Sequence, residues 1–290
     1  MTMARANILL VGCGDIGIPL GLQLARSGNA VWGLRRSTQL PDPITTLHAD
    51  VTQANTLTSL ATLAPDYVVV TLTPGAFSDH AYHSVFVEGT RNLLQQLNVL
   101  HNNGSKIRRL FFISSTSVYA QVDGEWVDEH SATEPTGFSG KRLLQAEGLL
   151  DDCGIASTVI RFAGIYGPGR RRLIDQVLAG QGCPQNPPLY TNRIHRDDCV
   201  GFLAHLIERD QGGEAVEPRY IGVDSAPAPM WEVKHWLASQ LREAPRELQI
   251  GTSHRRGSKR CSNQRLLDSG YQLRYPSYQR GYGAVISDLN

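Results

Sequence analysis

The sequence predicts an α/β fold: a doubly wound parallel sheet with a smaller lobe interleaved toward the C-terminus. Three observations carry that prediction. β-Branched apolar runs alternate with segments of helical period. The runs are apolar throughout, as expected of strands covered on both faces. The first run leads straight into a glycine-rich loop that opens an amphipathic helix.

In chain order, Asn7–Val11 reads as a strand, Ile16–Ser27 as a helix and Ala30–Leu34 as a second strand. Asp66–Thr73, DYVVVTLT, is a strongly β-branched strand, and His80–Leu100 carries apolar residues at helical spacing. Lys106–Ser115, KIRRLFFISS, is a further strand, followed by a helix over Ser139–Leu150 and a strand over Ala156–Phe162. Strands separated by helices pair in parallel, because the crossover returns the chain to the same end of the sheet. Gly164 to Pro188 is rich in Gly, Pro and Arg. Arg196–Arg209 then reads as a helix, Arg219–Val223 as a strand and Met230–Arg242 as a helix. From Arg246 on, the chain is polar and basic with no clear period. Residues 1–165 and 191–223 are assigned to the sheet domain, and 166–190 and 224–290 to the smaller lobe.

Composition narrows the function classes. With 290 residues, 41% hydrophobic and 19% charged, the chain is an ordinary soluble globular protein, long enough for one large domain or two unequal lobes. A net charge of +1 gives no general field for nucleic acid or an anionic membrane. No apolar run approaches the roughly 18 residues of a membrane span, and the segment before the first strand is too short for a signal peptide. The five cysteines form no CxxC pair and are expected as free thiols in a reducing cytoplasm. The nine histidines show no ligand spacing, so no metal is expected. Nothing fixes the oligomeric state, and a homodimer stays open.

The loop Gly12-Cys13-Gly14-Asp15-Ile16-Gly17 fits G-x-G-x-x-G. Gly12 permits the tight turn off the strand, Gly14 lets a pyrophosphate approach the backbone, and Gly17 lets the helix pack closely. The helix N-terminus beyond Asp15 and Ile16 offers N–H donors and a partial positive charge. The motif therefore predicts a dinucleotide site. NAD-binding sheets usually end their second strand on an acidic residue that accepts from the ribose hydroxyls. Here that position reads Leu34-Arg35-Arg36. Two guanidiniums suit a 2′-phosphate, which favours NADP over NAD, or they form a solvated basic turn. Asp50, followed by Val51, is placed to accept from the adenine amino group. Leu72, Thr73 and Pro74 are expected under the adenosine or the nicotinamide ribose.

At this point the chain resembles the extended short-chain dehydrogenase/reductases, the NAD-dependent epimerase/dehydratase family. The resemblance rests on "VEGTRNLLQQL" from Val87, "FFISSTSVYA" from Phe111, "RFAGIYGPGR" from Arg161, "NRIHRDDCVGFLAHLIE" from Asn192 and "YIGVDSAPAPMWEVKHWLASQL" from Tyr220, in that order. It implies a Rossmann sheet, a nicotinamide cofactor, and Ser115 as the active-site serine that hydrogen-bonds substrate.

One departure bears on the chemistry. The family's Tyr-x-x-x-Lys should lie in TGFSGKRLLQAEGLL. Aligned on Ala146-Glu147, Ser139 stands at the tyrosine and Leu143 at the lysine. Aligned on Lys141, Gly137 stands at the tyrosine. Together with the glycine spacing, this is similar to the atypical members of the superfamily. A serine releases a proton far less readily than a phenol, so Ser139 needs help. Within a helix, Lys141 points about 200° from Ser139; it shares the site only if the helix starts after Ser139, where Ser139 would act as the cap. Ser115, Ser139 and Lys141 are the catalytic candidates. Tyr119 and Tyr166 either reach the same pocket or pack, and His195 reads as structural. Arg170, Arg171 and Arg172 either bind an anion or form a solvated run. Two functions stay open: an NADP(H)- or NAD(H)-dependent oxidoreductase or epimerase/dehydratase-like enzyme for a small polar, anionic or sugar-like substrate, and a dinucleotide-binding redox sensor or regulatory protein without turnover.

Overall fold

A computed structural model describes residues 5–245, 247–250 and 257–288. The chain divides into two compact units. Unit 1 comprises residues 1–118, 133–161 and 200–220, and unit 2 comprises 119–132, 162–199 and 221–290. Four stretches therefore change sides relative to the sequence reading: 119–132, 162–165, 191–199 and 221–223. Residues 119–132 and 191–199 cluster with unit 2, because their strands pair there.

The chain opens with β1 (Asn7–Val11), α1 (Gly17–Arg26), β2 (Ala30–Arg35), β3 (Thr45–His48) and β4 (Tyr67–Val70). A helical run follows: α2 (Asp79–Tyr82), a π-helical turn over His83–Glu88, and α3 (Gly89–Asn102). Next come β5 (Arg109–Ser115), β6 (Glu125–Val127), α4 (Phe138–Asp151), β7 (Ser157–Phe162), β8 (Gly164–Tyr166) and α5 (Arg172–Leu178). The remainder is β9 (Tyr190–Thr191), β10 (Arg193–His195), α6 (Arg196–Gln211), β11 (Arg219–Gly222), β12 (Ala228–Pro229), α7 (Met230–Gln240), β13 (Lys259–Cys261), α8 (Gln264–Asp268) and α9 (Tyr278–Ser287).

The seven-stranded sheet runs β11-β7-β5-β4-β1-β2-β3, and its pairings from β3 through β5 are parallel. Strand order reverses between β1 and β4, which opens a crevice at their C-terminal ends. All four residues of β4 are buried, which is why its sequence shows no alternation. β4 ends at Val70, short of the Thr73 expected from β-propensity. Its pairing with β1 ends at Val11↔Val70. The Thr71 N–H then donates to Val11 O at 2.8 Å, and its hydroxyl donates to Gly12 O. The chain leaves the sheet there to back the glycine loop.

Inside unit 1, α4 is tied to the sheet by a buried ionic network. Glu147 accepts from Ser114 Oγ at 2.6 Å and from Arg161 Nη2 at 2.6 Å. Both ions are nearly inaccessible, so each depends on the other for its charge to be tolerated.

Unit 2 has its own core, built from Tyr166, Ile174, Val177, Val233, Leu237, Tyr278, Tyr282 and Val285. The segment after Arg246, read from sequence as lacking a period, supplies much of it. α9 buries Tyr278, Gly281, Tyr282, Val285 and Ile286, one helical face, and Ser277 caps it by accepting from Arg280 N–H. Asp198 holds the preceding segment, accepting from Arg274 N–H at 2.7 Å, Tyr275 N–H at 3.0 Å and the Tyr271 hydroxyl at 3.1 Å.

Candidate active site

The crevice in unit 1 is a cleft of about 300 Å³ lined by Gly12, Cys13, Gly14, Leu34–Thr38, Ala49–Thr52, Thr71–Thr73, Gly75 and Val85. Of the expected cofactor residues, Gly12, Gly14, Arg35, Arg36, Asp50, Val51, Leu72 and Thr73 line it. Asp15, Ile16, Gly17 and Pro74 do not, and two of them shape it from behind. Ile16 is the buried residue from which α1 starts. A Cβ on Gly17 would lie 2.6 Å from Gly12 O, so Gly17 packs the helix against the loop.

Gly12 has φ +92°, a left-handed conformation that glycine adopts freely. Gly14 differs: a Cβ there would meet nothing within 4 Å. The protein does not need glycine at position 14 for its own packing, yet a side chain would project into open space beside the loop. The α1 N-terminus has no side-chain cap, which leaves its leading N–H groups for an anion. The loop thus fits a pyrophosphate.

At the far end of the cleft, Arg35 is half-buried and Arg36 exposed. Neither guanidinium has a carboxylate partner among the described residues. Ser37 and Thr38 add hydroxyls beside them. Asp50 turns one carboxylate oxygen to Thr52, accepting from its N–H at 2.9 Å and its hydroxyl at 2.8 Å. Burial pushes the Cys13 thiol up to about 12 despite the opposing pull of Arg35, so it stays protonated at neutral pH.

Ser115 ends β5, and its Oγ accepts from Ser117 N–H at 3.1 Å, leaving its own proton to donate. The first turn of α4 lies against this turn: a Cβ on Gly140 would stand 2.3 Å from Ser117 O. That contact brings the Ser139 region beside the turn that follows Ser115. Ser139 is not the helix cap. Gly137 holds that position, and the Ser139 hydroxyl has no partner among the described residues.

Lys141 requires a correction. α4 begins at Phe138, so Ser139 and Lys141 are both helical and diverge by about 200°. Lys141 is exposed, whereas Leu143, which stands at the lysine in the register aligned on Ala146-Glu147, is buried. Arg142 is committed to Asp79 by two bonds, of 2.7 and 2.8 Å.

In unit 2, Tyr166 packs, stacking on Tyr282 at 4.2 Å and edge-on to His195 at 5.3 Å. His195 is buried, accepts from Asp197 N–H at Nδ1, and burial lowers it to about 4, so it is neutral at physiological pH. Tyr119 is also buried. Arg171 faces Asp175 at 3.6 Å on an exposed surface. Among the described residues no three His, Cys, Asp or Glu side chains are placed to share a metal, and no helix is long and apolar enough to cross a membrane. Sequence reasoning missed Cys13, Leu34, Ser37, Thr38, Ala49, Thr52, Thr71, Gly75 and Val85 as lining residues. Most adjoin flagged positions; Val85, on the helical run, carries no local signal.

The model of the NAD dependent epimerase/dehydratase family matches residues 8–216. The chain belongs to that family. A putative NAD-dependent epimerase/dehydratase from Methylobacillus flagellatus is 41% identical, covers 99% of both chains and superposes with a TM-score of 0.84. Protein YeeZ of Escherichia coli is 27% identical over 220 residues, 71% of this chain and 75% of that protein. The 3-diazoavenalumate denitrifying reductase of a Streptomyces species is 26% identical over 313 residues, 96% of this chain and 99% of that protein.

Proposed function

We propose that this protein is an NADP(H)-preferring enzyme, an oxidoreductase or epimerase/dehydratase-like catalyst that acts on a small polar substrate. The observation that carries the reading is the cleft itself: an uncapped helix N-terminus and an open Gly14 at one end, and at the other two guanidiniums with no carboxylate partner among the described residues. Gly12, Gly14 and the α1 N-terminus would hold the pyrophosphate, Asp50 and Val51 the adenine, and Leu72 and Thr73 the ribose. Arg35 and Arg36, with Ser37 and Thr38, would hold a 2′-phosphate; NAD(H) is the alternative cofactor. When bound, the nicotinamide supplies a hydride donor or acceptor. Ser115 donates its hydroxyl hydrogen to the substrate oxygen, and the unpartnered Ser139 hydroxyl lies on the adjoining turn. None of the five cysteines is in a disulfide, which suits a reducing cytoplasm.

A second reading is favoured by one observation. In neither register does α4 carry Tyr-x-x-x-Lys: aligned on Ala146-Glu147, Ser139 and a buried Leu143 stand there, and aligned on Lys141, Gly137 stands at the tyrosine, which fits a dinucleotide-binding sensor without turnover. Calorimetry with both cofactors tests the cofactor assignment. NADPH should bind about ten- to a hundredfold tighter than NADH, the worth of one bidentate charge-assisted phosphate contact, and Arg35→Ala with Arg36→Ala should erase the difference. Equal wild-type affinities overturn the assignment. NADPH consumption across a metabolite library then separates enzyme from sensor.

A further inference from the structure

Unit 2 buries three polar atoms that make no hydrogen bond among the described residues: the Tyr166 hydroxyl, Arg193 Nη1 and Asp224 Oδ2. Their residues are only 3%, 4% and 1% exposed, so bulk solvent does not serve them. A buried polar atom without a partner is costly, more so in a charged group, and folded proteins rarely carry three together. The rest of the two charged groups is committed. Asp224 Oδ1 accepts from Ala226 N–H at 3.1 Å, and Arg193 Nη2 donates to Thr191 Oγ1. Each of these side chains is thus held in place with one polar atom left over.

The packing on α9 brings the three groups together. Tyr278, Gly281 and Tyr282 lie on its buried face. The Arg193 guanidinium sits over the Tyr278 ring at 5.3 Å, and Tyr166 stacks on Tyr282 at 4.2 Å. Those two tyrosines are one helical turn apart, which makes the guanidinium and the phenol neighbours. The Tyr166 hydroxyl reaches over Gly281, where a Cβ would stand 1.8 Å from it. Glycine at 281 therefore makes room for that hydroxyl. Asp224 joins from the turn after β11, where its N–H donates to Arg193 O at 2.7 Å. Burial holds the Tyr166 hydroxyl above its usual range, and after burial Asp224 acts on it most strongly, with Arg193 opposing.

The leftover atoms specify their ligand. Arg193 Nη1 and the Tyr166 hydroxyl each have a hydrogen to give, and Asp224 Oδ2 has lone pairs to receive one. The opposite charges of Arg193 and Asp224 balance, so the site favours neither an anion nor a cation. A neutral molecule that accepts two hydrogen bonds and donates one fits, and the enclosure restricts it to the smallest such molecule. We propose that one buried water bridges Arg193 Nη1, the Tyr166 hydroxyl and Asp224 Oδ2. It joins β8, β10 and the turn after β11 in one network, and it is independent of the cofactor assignment.

Two measurements on the full chain test the water at about pH 8, above the value of about 7 through which Asp224 titrates. Crystals grown in sodium bromide should show an oxygen-sized peak within about 2.6–3.2 Å of all three atoms, with no bromine anomalous signal. An anomalous peak would make the ligand a halide, and direct bonds among the three side chains with no peak would leave no ligand; either overturns the proposal. Urea denaturation of Tyr166→Phe decides by sign. A hydroxyl that donates to water loses a hydrogen bond on removal, so the unfolding constant should rise about two- to tenfold. Removing an orphaned buried hydroxyl instead relieves its cost, and the constant would fall. A fall, or no change, overturns the bridge.

Discussion

The three glycines of the loop do different jobs, and their substitutions should separate binding from stability. Gly17→Ala puts a Cβ 2.6 Å from the Gly12 carbonyl oxygen. The loop must retreat by about 0.8 Å to reach ordinary contact, and overpacking of that kind costs about 1–3 kcal/mol. The retreat also strains the Thr71 hydroxyl bond to the same oxygen. Alanine's better helix propensity offsets less than about 1 kcal/mol. A net loss of about 1–2 kcal/mol is expected, with weakened cofactor binding. In Gly14→Val the new Cβ meets nothing within 4 Å, so stability should change by under about 0.5 kcal/mol. Its branched side chain would occupy the pyrophosphate's space, and NADPH affinity should fall at least about tenfold. Urea denaturation and calorimetry on both variants give the two numbers. If Gly14→Val is as destabilised as Gly17→Ala, or binds NADPH like the wild type, the division of roles is wrong.

Once a substrate is found, Ser115→Ala should lower kcat/KM by about two orders of magnitude, while the exposed Lys141→Met should turn over like the wild type. Loss of activity in Lys141→Met would return that lysine to the site. Glu147→Ala removes the carboxylate facing the buried Arg161 guanidinium and should cost about 3–5 kcal/mol in chemical denaturation, with a much smaller loss for Ser114→Ala. Asp224 gives a pH signature. Burial raises its carboxyl from 3.8 to about 7, against the pull of Arg193. The folded state thus holds a proton that the unfolded state releases, so this contribution is fully present below pH 3.8 and is lost as pH rises through about 7. Asp224→Asn should flatten the stability–pH curve over that window, and an unchanged curve would show that Asp224 titrates normally.

What the sequence determined by itself was whatever depends on residues near one another in the chain. G-x-G-x-x-G encodes its turn, its open position and its helix start within six residues, so the pyrophosphate end of the cleft was legible. The same holds for the strands, whose burial on both faces is written as unbroken apolar runs. Arg35 and Arg36 were legible because they end a strand whose neighbour already carried the loop. The tertiary structure decided the rest. Val85 lines the cleft only because the helical run crosses it, and Ser37 and Thr38 only because the chain turns back after β2. Ser139 and Lys141 were separated by where α4 begins. A cap at Gly137 in place of Ser139 decides that, and both residues are acceptable caps on sequence grounds. α9 went unread because the first turns of its buried face are tyrosines and glycine among polar residues, with Val285 and Ile286 only near its end, a pattern that becomes a core only when α5 and α7 supply the surface it packs on.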